Sequence, residues 1–294
     1  MLKRTLFFGK PSRLSVKDKQ LVIEIKETGE LHKAPIEDIG FVVIENQQIS
    51  VSLPLLQEFM SNNVAVIFCD ASHMPNSMLL NLDGHHLQSE MFRFQINASE
   101  PLKKNLWKQT VEAKIRNQAA LLDKSGKNGN ILKPFYCNVK SGDTDNREGA
   151  AARVYWTEMF GTSFIRDRYG ECPNNLLNYA YIILRAAVAR AITGSGLLPT
   201  LGLFHHNRYN AFCLADDLME PYRPYADEVV SGLFQKGEKE LTTAVKAEIL
   251  KILANDTYFE NTTRPLMVGL SQTTASLARC FSGEQKKMVY PEFK

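Results

Sequence analysis

Asp83-Gly84-His85-His86 is a turn at which the grammar of the chain changes, and the residues on either side of it decide the fold. Upstream, Leu14 and Val16, then Leu21, Ile23 and Ile25, alternate with polar residues, the period of strands with one buried face. Lys17-Asp18-Lys19 and Thr28-Gly29 supply turn chemistry between these runs. Residues 41–44 and 64–68 are continuous apolar runs, β-branched or aromatic except for Ala65, as expected of strands buried on both faces. One helix interrupts them: it starts near Ser52, tolerates Pro54 in its first turn, carries Leu55, Leu56, Phe59 and Met60 on one face and stops at Asn62-Asn63.

Downstream, from about residue 88, Leu102, Leu106, Val111, Ile115, Ala119 and Leu122 recur at helical spacing, and residues 123–130 read as an exposed loop. Asn146 is placed to cap a helix from Arg147 to Phe160. Asn174 or Asn175 is placed to cap a long apolar helix over 176–192, closed by Gly194-Ser195-Gly196. The expected fold class is therefore α+β, with a small β-rich N-terminal domain over residues 1–87 and a larger, mainly α-helical domain over 88–294.

The chain has 294 residues, 44% of them hydrophobic and 23% charged, ordinary values for a globule able to bury roughly three quarters of its unfolded surface. A net charge of +3 permits nucleic-acid binding without pointing to it. Met1-Leu2-Lys3-Arg4 opens a stretch whose apolar run ends at Gly9-Lys10, too short for a secretory segment or a membrane span, so neither is expected. The five cysteines (Cys69, Cys137, Cys172, Cys213, Cys280) contain no C-x-x-C pair, which argues against a disulfide framework and a structural zinc site and fits a reducing cytoplasm. Phosphate-loop, dinucleotide-binding, zincin and nucleophile-elbow signatures are absent, excluding those enzyme classes as first readings.

Chemistry concentrates in two places. Gly202-Leu203-Phe204-His205-His206-Asn207 is followed by Asp216-Asp217-Leu218-Met219-Glu220-Pro221-Tyr222-Arg223-Pro224. If the second segment is helical, Asp217 and Glu220 share a face. An imidazole among carboxylates suits a hard divalent ion, Mg²⁺ or Mn²⁺. The same acids also read as a helix-capping arrangement, and the histidines as hydrogen-bonded surface residues. Asn146-Arg147-Glu148-Gly149-Ala150-Ala151-Ala152-Arg153 is the second place. Its small residues let a backbone or ligand approach Glu148 between two fixed positive charges, or simply permit a tight helix crossing beside a surface acid. His32, His73, His85 and His86 read as turn or surface residues, and no histidine follows His206 to complete a histidine-based nuclease site.

These two places, together with Val66-Ile67-Phe68-Cys69-Asp70, resemble the CRISPR-associated spacer-acquisition integrase, specifically the form found in type II systems. The resemblance spans nearly the whole chain and weakens beyond about residue 236. It implies a prokaryotic, cytoplasmic, metal-dependent DNA endonuclease and integrase of adaptive antiviral immunity, which inserts short foreign DNA into the CRISPR repeat array through attack of 3′-hydroxyls on phosphodiesters. On this resemblance Glu148, His205 and Glu220 are the catalytic residues and the metal ligands for Mg²⁺ or Mn²⁺, supported by Asp217 and, more remotely, His206, Arg147 and Arg153. The implied partners are double-stranded DNA, a second copy of the chain through the β-rich domain, and a dimer of a small ferredoxin-like subunit, with no membrane. Lys286 and Lys287 could contact DNA phosphates. A non-catalytic DNA-binding scaffold and a general metal-dependent nuclease are the other readings.

Overall fold

Residues 3–81 and 83–294 are described in the structure, a computed structural model; Met1 and Leu2 of the N-terminal stretch read above lie outside them. Two compact units emerge, Met1–His86 and Leu87–Lys294.

In the first unit β1 (Arg4–Phe8), β2 (Ser12–Lys17), β3 (Gln20–Ile25), β4 (Leu31–Pro35), β5 (Ile39–Ile44), β6 (Ser50–Val51), α1 (Leu53–Ser61), β7 (Ala65–Cys69) and β8 (Pro75–Leu79) follow one another. They form two four-stranded sheets, ordered β1-β5-β7-β8 and β4-β3-β2-β6. β5 runs parallel to both β1 and β7, and every one of its residues is buried, which is why it is apolar throughout rather than alternating. β2 and β3 pair antiparallel across a two-residue turn in which Asp18 and Lys19 both have positive φ (51° and 57°), the turn whose twist matches that of the strands it joins. Leu55 and Phe59, four apart on α1, are fully buried with Leu14, Leu21, Ile36, Ile39, Val42 and Val66. Each such side chain contributes about 1.5–3 kcal/mol through burial.

The second unit contains α2 (Gln88–Ile96), α3 (Glu100–Lys124), α4 (Lys133–Tyr136), α5 (Arg147–Phe160), α6 (Asn174–Gly194), α7 (Cys213–Met219), α8 (Arg223–Gln235), α9 (Thr243–Leu250), the hairpin β9 (Asp256–Phe259) and β10 (Thr262–Pro265), and α10 (Leu266–Ser282). The chain is thus α+β, strands first and helices after. α3 packs against α5 and α8, and α6 against α7, α8 and α10. α6 is long and apolar enough to cross a membrane, yet 78% of that stretch is buried within the unit, as in the core helix of a globule. The described tail after α10 runs back along α3, where Tyr290 and Thr110 share a hydroxyl hydrogen bond of 2.7 Å and Gln109 receives the Met288 backbone N–H at 2.8 Å.

Three local expectations are corrected. Asn174 lies inside the first turn of α6 and caps nothing: its amide oxygen accepts from Arg166 and from the Asp167 N–H, both at 3.0 Å, tying down the preceding loop. Asn175 accepts from the adjacent Leu176 N–H at 2.8 Å, so it is no N-cap either. Of the stretch 123–130, Gly129 is buried rather than exposed, because the Asp123 carboxylate draws its N–H inward at 2.7 Å.

Candidate metal centre

α5 begins at Arg147 because three of its unpaired first-turn N–H groups find side-chain acceptors. Asn146 accepts from Gly149 at 3.1 Å, and the buried Asp143 carboxylate accepts from Arg147 at 2.8 Å and Glu148 at 3.0 Å. Gly149 serves this cap, since a Cβ there would lie 2.7 Å from the Asn146 amide oxygen. It is not an opening for a ligand. Ala151 is fully buried as α5 packs on α3, so the small residues do serve a close helix crossing, while Glu148 beside it is directed to a specific partner.

That partner is Lys114. Its side chain, only 7% exposed, leaves the middle of α3 and ends between two carboxylates, hydrogen-bonded to Glu148 and 2.5 Å from Glu220 Oε2. Burial alone would lower the Lys114 pKa, but Glu220 and Glu148 outweigh it and hold the ammonium charged. Glu220 begins a single 3₁₀ turn between α7 and α8, and its Oε1 accepts from Arg223 Nε at 2.8 Å. Burial would raise the Glu220 pKa; Arg223 and Lys114 overcome that and bring it down to about 2. Oε2 is buried and, apart from the ionic contact with Lys114, accepts no hydrogen bond of good geometry. Arg223 in turn lies over the Tyr181 ring at 4.3 Å, and Tyr181 and Tyr155 both donate to the buried Asp227, at 2.5 and 2.8 Å.

His205 arrives from the loop before α7, which folds around one carboxylate. The fully buried Asp217 accepts from the backbone N–H groups of Leu203 (2.6 Å), Phe204 (3.0 Å) and His205 (3.3 Å), and from the His205 ring at Nδ1 (2.5 Å). The chain can wrap this tightly only because residue 202 is glycine: a Cβ there would stand 2.3 Å from the His205 carbonyl oxygen and 2.8 Å from Asp217 Oδ2. The hydrogen bond to Asp217 raises the His205 pKa against the opposing effect of burial, and it assigns the proton to Nδ1, leaving Nε2 for a ligand. Burial pushes the Asp217 carboxyl up while the ring and backbone donors pull it down. For this coupled pair the raised histidine is the direction that follows from a carboxylate receiving four donors. Trp107 meets the His205 ring edge-on, with centroids 5.8 Å apart, and stacks on Phe204 at 4.6 Å.

Of Glu148, His205 and Glu220, spread over the helical unit's sequence, the two acids are joined through Lys114, while His205 is held by Asp217, three residues before Glu220 in the chain. Among the described residues no three His, Cys, Asp or Glu side chains form a ready ligand set, and the Lys114 ammonium stands between the two acids. His206 stays exposed, with its ring on the Phe204 carbonyl oxygen at 2.7 Å. Arg147 approaches Asp145 at 3.8 Å, and Arg153 is exposed on α5; neither contacts the three. Sequence reasoning missed Lys114, although it falls on the buried stripe Trp107, Thr110, Val111, Lys114, Gln118, Leu121, where a lysine implies a paired internal charge. It also gave Arg223 no role, and Asp143 none.

Residues 6–262 match the family described as CRISPR associated protein Cas1. The chain belongs to that family. A relative named CRISPR-associated endonuclease Cas1, from Neisseria meningitidis serogroup C (strain 8013), is 40% identical over 257 residues, 86% of this chain and 84% of its own. Among solved structures, a casposase bound to integration product superposes with a TM-score of 0.83 at 20% identity, covering 100% of this chain and 95% of its own. A Cas6-RT-Cas1–Cas2 complex contains a chain that superposes at 0.76 and 18% identity, covering 99% of this chain and 36% of that one. At such identities the two structures share the Cas1 fold with this chain, and the Neisseria relative carries the family membership independently of them.

Proposed function

We propose that this chain is the DNA-cutting and DNA-joining subunit of CRISPR adaptation, of the type II form, acting in the cytoplasm of a prokaryote. It would insert short foreign DNA into the repeat array by attack of DNA 3′-hydroxyls on phosphodiesters. The observation that supports this reading is that Glu148 and Glu220 meet on one buried cation, the Lys114 ammonium, with His205 held by Asp217 three residues before Glu220. Two carboxylates and one imidazole are a donor set that fits Mg²⁺ or Mn²⁺, and Glu220 Oε2, 2.5 Å from the Lys114 ammonium, already faces a positive charge. Glu148, Glu220 and His205 Nε2 would hold the ion, which when bound polarises the attacked phosphoryl group and stabilises the leaving oxygen.

The chain's own residues do the rest. Asp217 fixes the His205 tautomer and ring plane, Arg223 keeps Glu220 ionised and oriented, and Asp143 presents Glu148 by capping α5. No side chain forms a covalent bond with DNA in this scheme. Affinity for DNA would come from Lys and Arg contacts to phosphate, Lys286 and Lys287 among the exposed candidates, with Arg147 and Arg153 contributing positive charge near α5. The Neisseria relative's name and the casposase's integration product support the endonuclease and integrase halves of the reading. The Cas2 named in that solved complex supports a partner subunit, which we take to be a dimer of a small ferredoxin-like protein. Pairing of two copies would use the first unit, where β1, β8, β4 and β6 are sheet edges.

The test is strand transfer of a short duplex with free 3′-hydroxyl ends into a supercoiled plasmid carrying the repeat array, with the partner subunit present, in Mg²⁺ or Mn²⁺. Wild type should yield joined product and Glu220→Ala none. Equal product from both removes Glu220 from catalysis, and DNA binding without product from either favours a non-catalytic scaffold. Cleavage that ignores branching and repeat sequence favours a general nuclease.

A further inference from the structure

Both oxygens of Glu220 are already engaged by cations, Oε1 by Arg223 and Oε2 by Lys114, and the same Lys114 ammonium is bonded to Glu148. An ion binding these two carboxylates needs oxygens at about 2.0–2.2 Å, and it cannot take them while an ammonium stands between them at hydrogen-bond distance. We propose that Lys114 is a displaceable internal counter-ion: it holds Glu148 and Glu220 in place while the site lacks a divalent ion, and that ion binds by evicting it. The inference rests on the metal-site reading above and adds a residue that neither the motifs nor that reading assigned.

Placement favours this over a purely structural ion pair. Lys114 lies on the buried face of α3, between Val111 and Ile115, and two acids converge on it where one would neutralise it. Without the ammonium, Arg223 alone would face Glu220 while a second carboxylate, Glu148, stood on its other side, an arrangement a low-dielectric interior penalises. The ammonium therefore assembles the ligand pair in advance. A displaced head group also has an acceptor near at hand: Gln118, one helical turn along α3 and 2% exposed, has a side-chain oxygen that is buried and accepts no hydrogen bond. The consequence is a centre whose metal affinity is deliberately held down by competition, so that the ion exchanges rather than being locked in.

The test measures Mn²⁺ affinity of the full chain without DNA, by titration calorimetry or electron paramagnetic resonance, alongside thermal melting in EDTA and in saturating Mn²⁺. Lys114→Met is expected to bind Mn²⁺ about tenfold tighter than wild type or better. It should melt lower than wild type in EDTA, with the gap closing in Mn²⁺. A lysine serving only to support the fold would, when lost, weaken metal binding, so the direction of the affinity change is decisive. Equal or weaker binding by Lys114→Met, while Glu220→Ala abolishes binding, overturns the counter-ion role and leaves the metal site standing. Binding by wild type that Glu220→Ala does not affect overturns both. If Lys114→Met is unfolded in EDTA, recovery of the fold by Mn²⁺ supports the proposal, and failure to recover refutes it.

Discussion

Replacing Asp217 by Asn should both destabilise the helical unit and weaken metal binding at the proposed centre. The carboxylate is fully buried, and each oxygen receives two donors: Oδ2 the Leu203 and Phe204 N–H groups, Oδ1 the His205 N–H and ring Nδ1. Whichever way an amide faces, its NH₂ replaces one acceptor and confronts two donors. Two hydrogen bonds to a charged acceptor are lost, at about 1.5–3 kcal/mol each, for a total of roughly 3–6 kcal/mol. That is a large part of the ~5–15 kcal/mol stability of an ordinary domain. Loss of the Nδ1 anchor also frees the His205 ring, which for an outer-shell carboxylate typically costs about 10–100-fold in metal affinity. Urea unfolding followed by tryptophan fluorescence reads the right unit, because both tryptophans, Trp107 and Trp156, belong to it. A stability loss below about 1 kcal/mol, or Mn²⁺ affinity within about twofold of wild type, would show that Asp217 does not organise the loop.

Glu148→Ala and His205→Ala should abolish strand transfer yet leave duplex binding within about threefold of wild type in a gel shift, since phosphate contacts supply most of that affinity; lost binding with an intact fold would contradict this division of labour. Gly202→Ala should cost about 2 kcal/mol or more, because its Cβ would stand 2.3 Å from the His205 carbonyl oxygen, and an unchanged melting curve would mean the loop relaxes freely. Asp227 supplies a pH signature: burial raises its carboxyl from 3.8 to about 6 despite the Tyr181 and Tyr155 hydrogen bonds. A raised pKa means a stabilising contribution present in full below 3.8 and lost as pH rises through about 6. The shift amounts to at most about 3 kcal/mol. Wild type should therefore lose stability relative to Asp227→Asn between pH 4 and 7.5 in parallel urea titrations, and a constant difference would refute the assignment.

Much of the fold was legible because it is written locally. The Asp18-Lys19 hairpin, the apolar β5 and the start of α5 at Asn146 each follow from a few neighbouring residues. Where the reading failed, the deciding partner was elsewhere. Asn174 looks like a cap from its position before an apolar run, but Arg166 and Asp167 claim its side chain, and Gly149 looks like room for a ligand when its space belongs to Asn146. The family resemblance singled out Glu148, His205 and Glu220, which spacing alone left open between metal ligands and capping or surface residues. It could not give Lys114 between them, because helical periodicity shows that a lysine is buried without showing what neutralises it.

Asn117 lies one turn beyond Lys114 on α3, and its buried amide donates to the carbonyls of Pro221 (2.8 Å) and Pro291 (3.0 Å) while accepting from the Phe293 N–H (3.1 Å). A single side chain thus knots together the middle of a helix, the turn bearing Glu220 and the C-terminal segment of the described chain. Those contacts join residues more than a hundred positions apart, so loop-closure entropy places them late in folding. A nascent or partly unfolded chain would have its acids and histidine dispersed, and would be harmless to DNA by this mechanism. Cutting competence would be switched on by completion of the fold itself, and lost in any fluctuation that peels the C-terminal segment from α3.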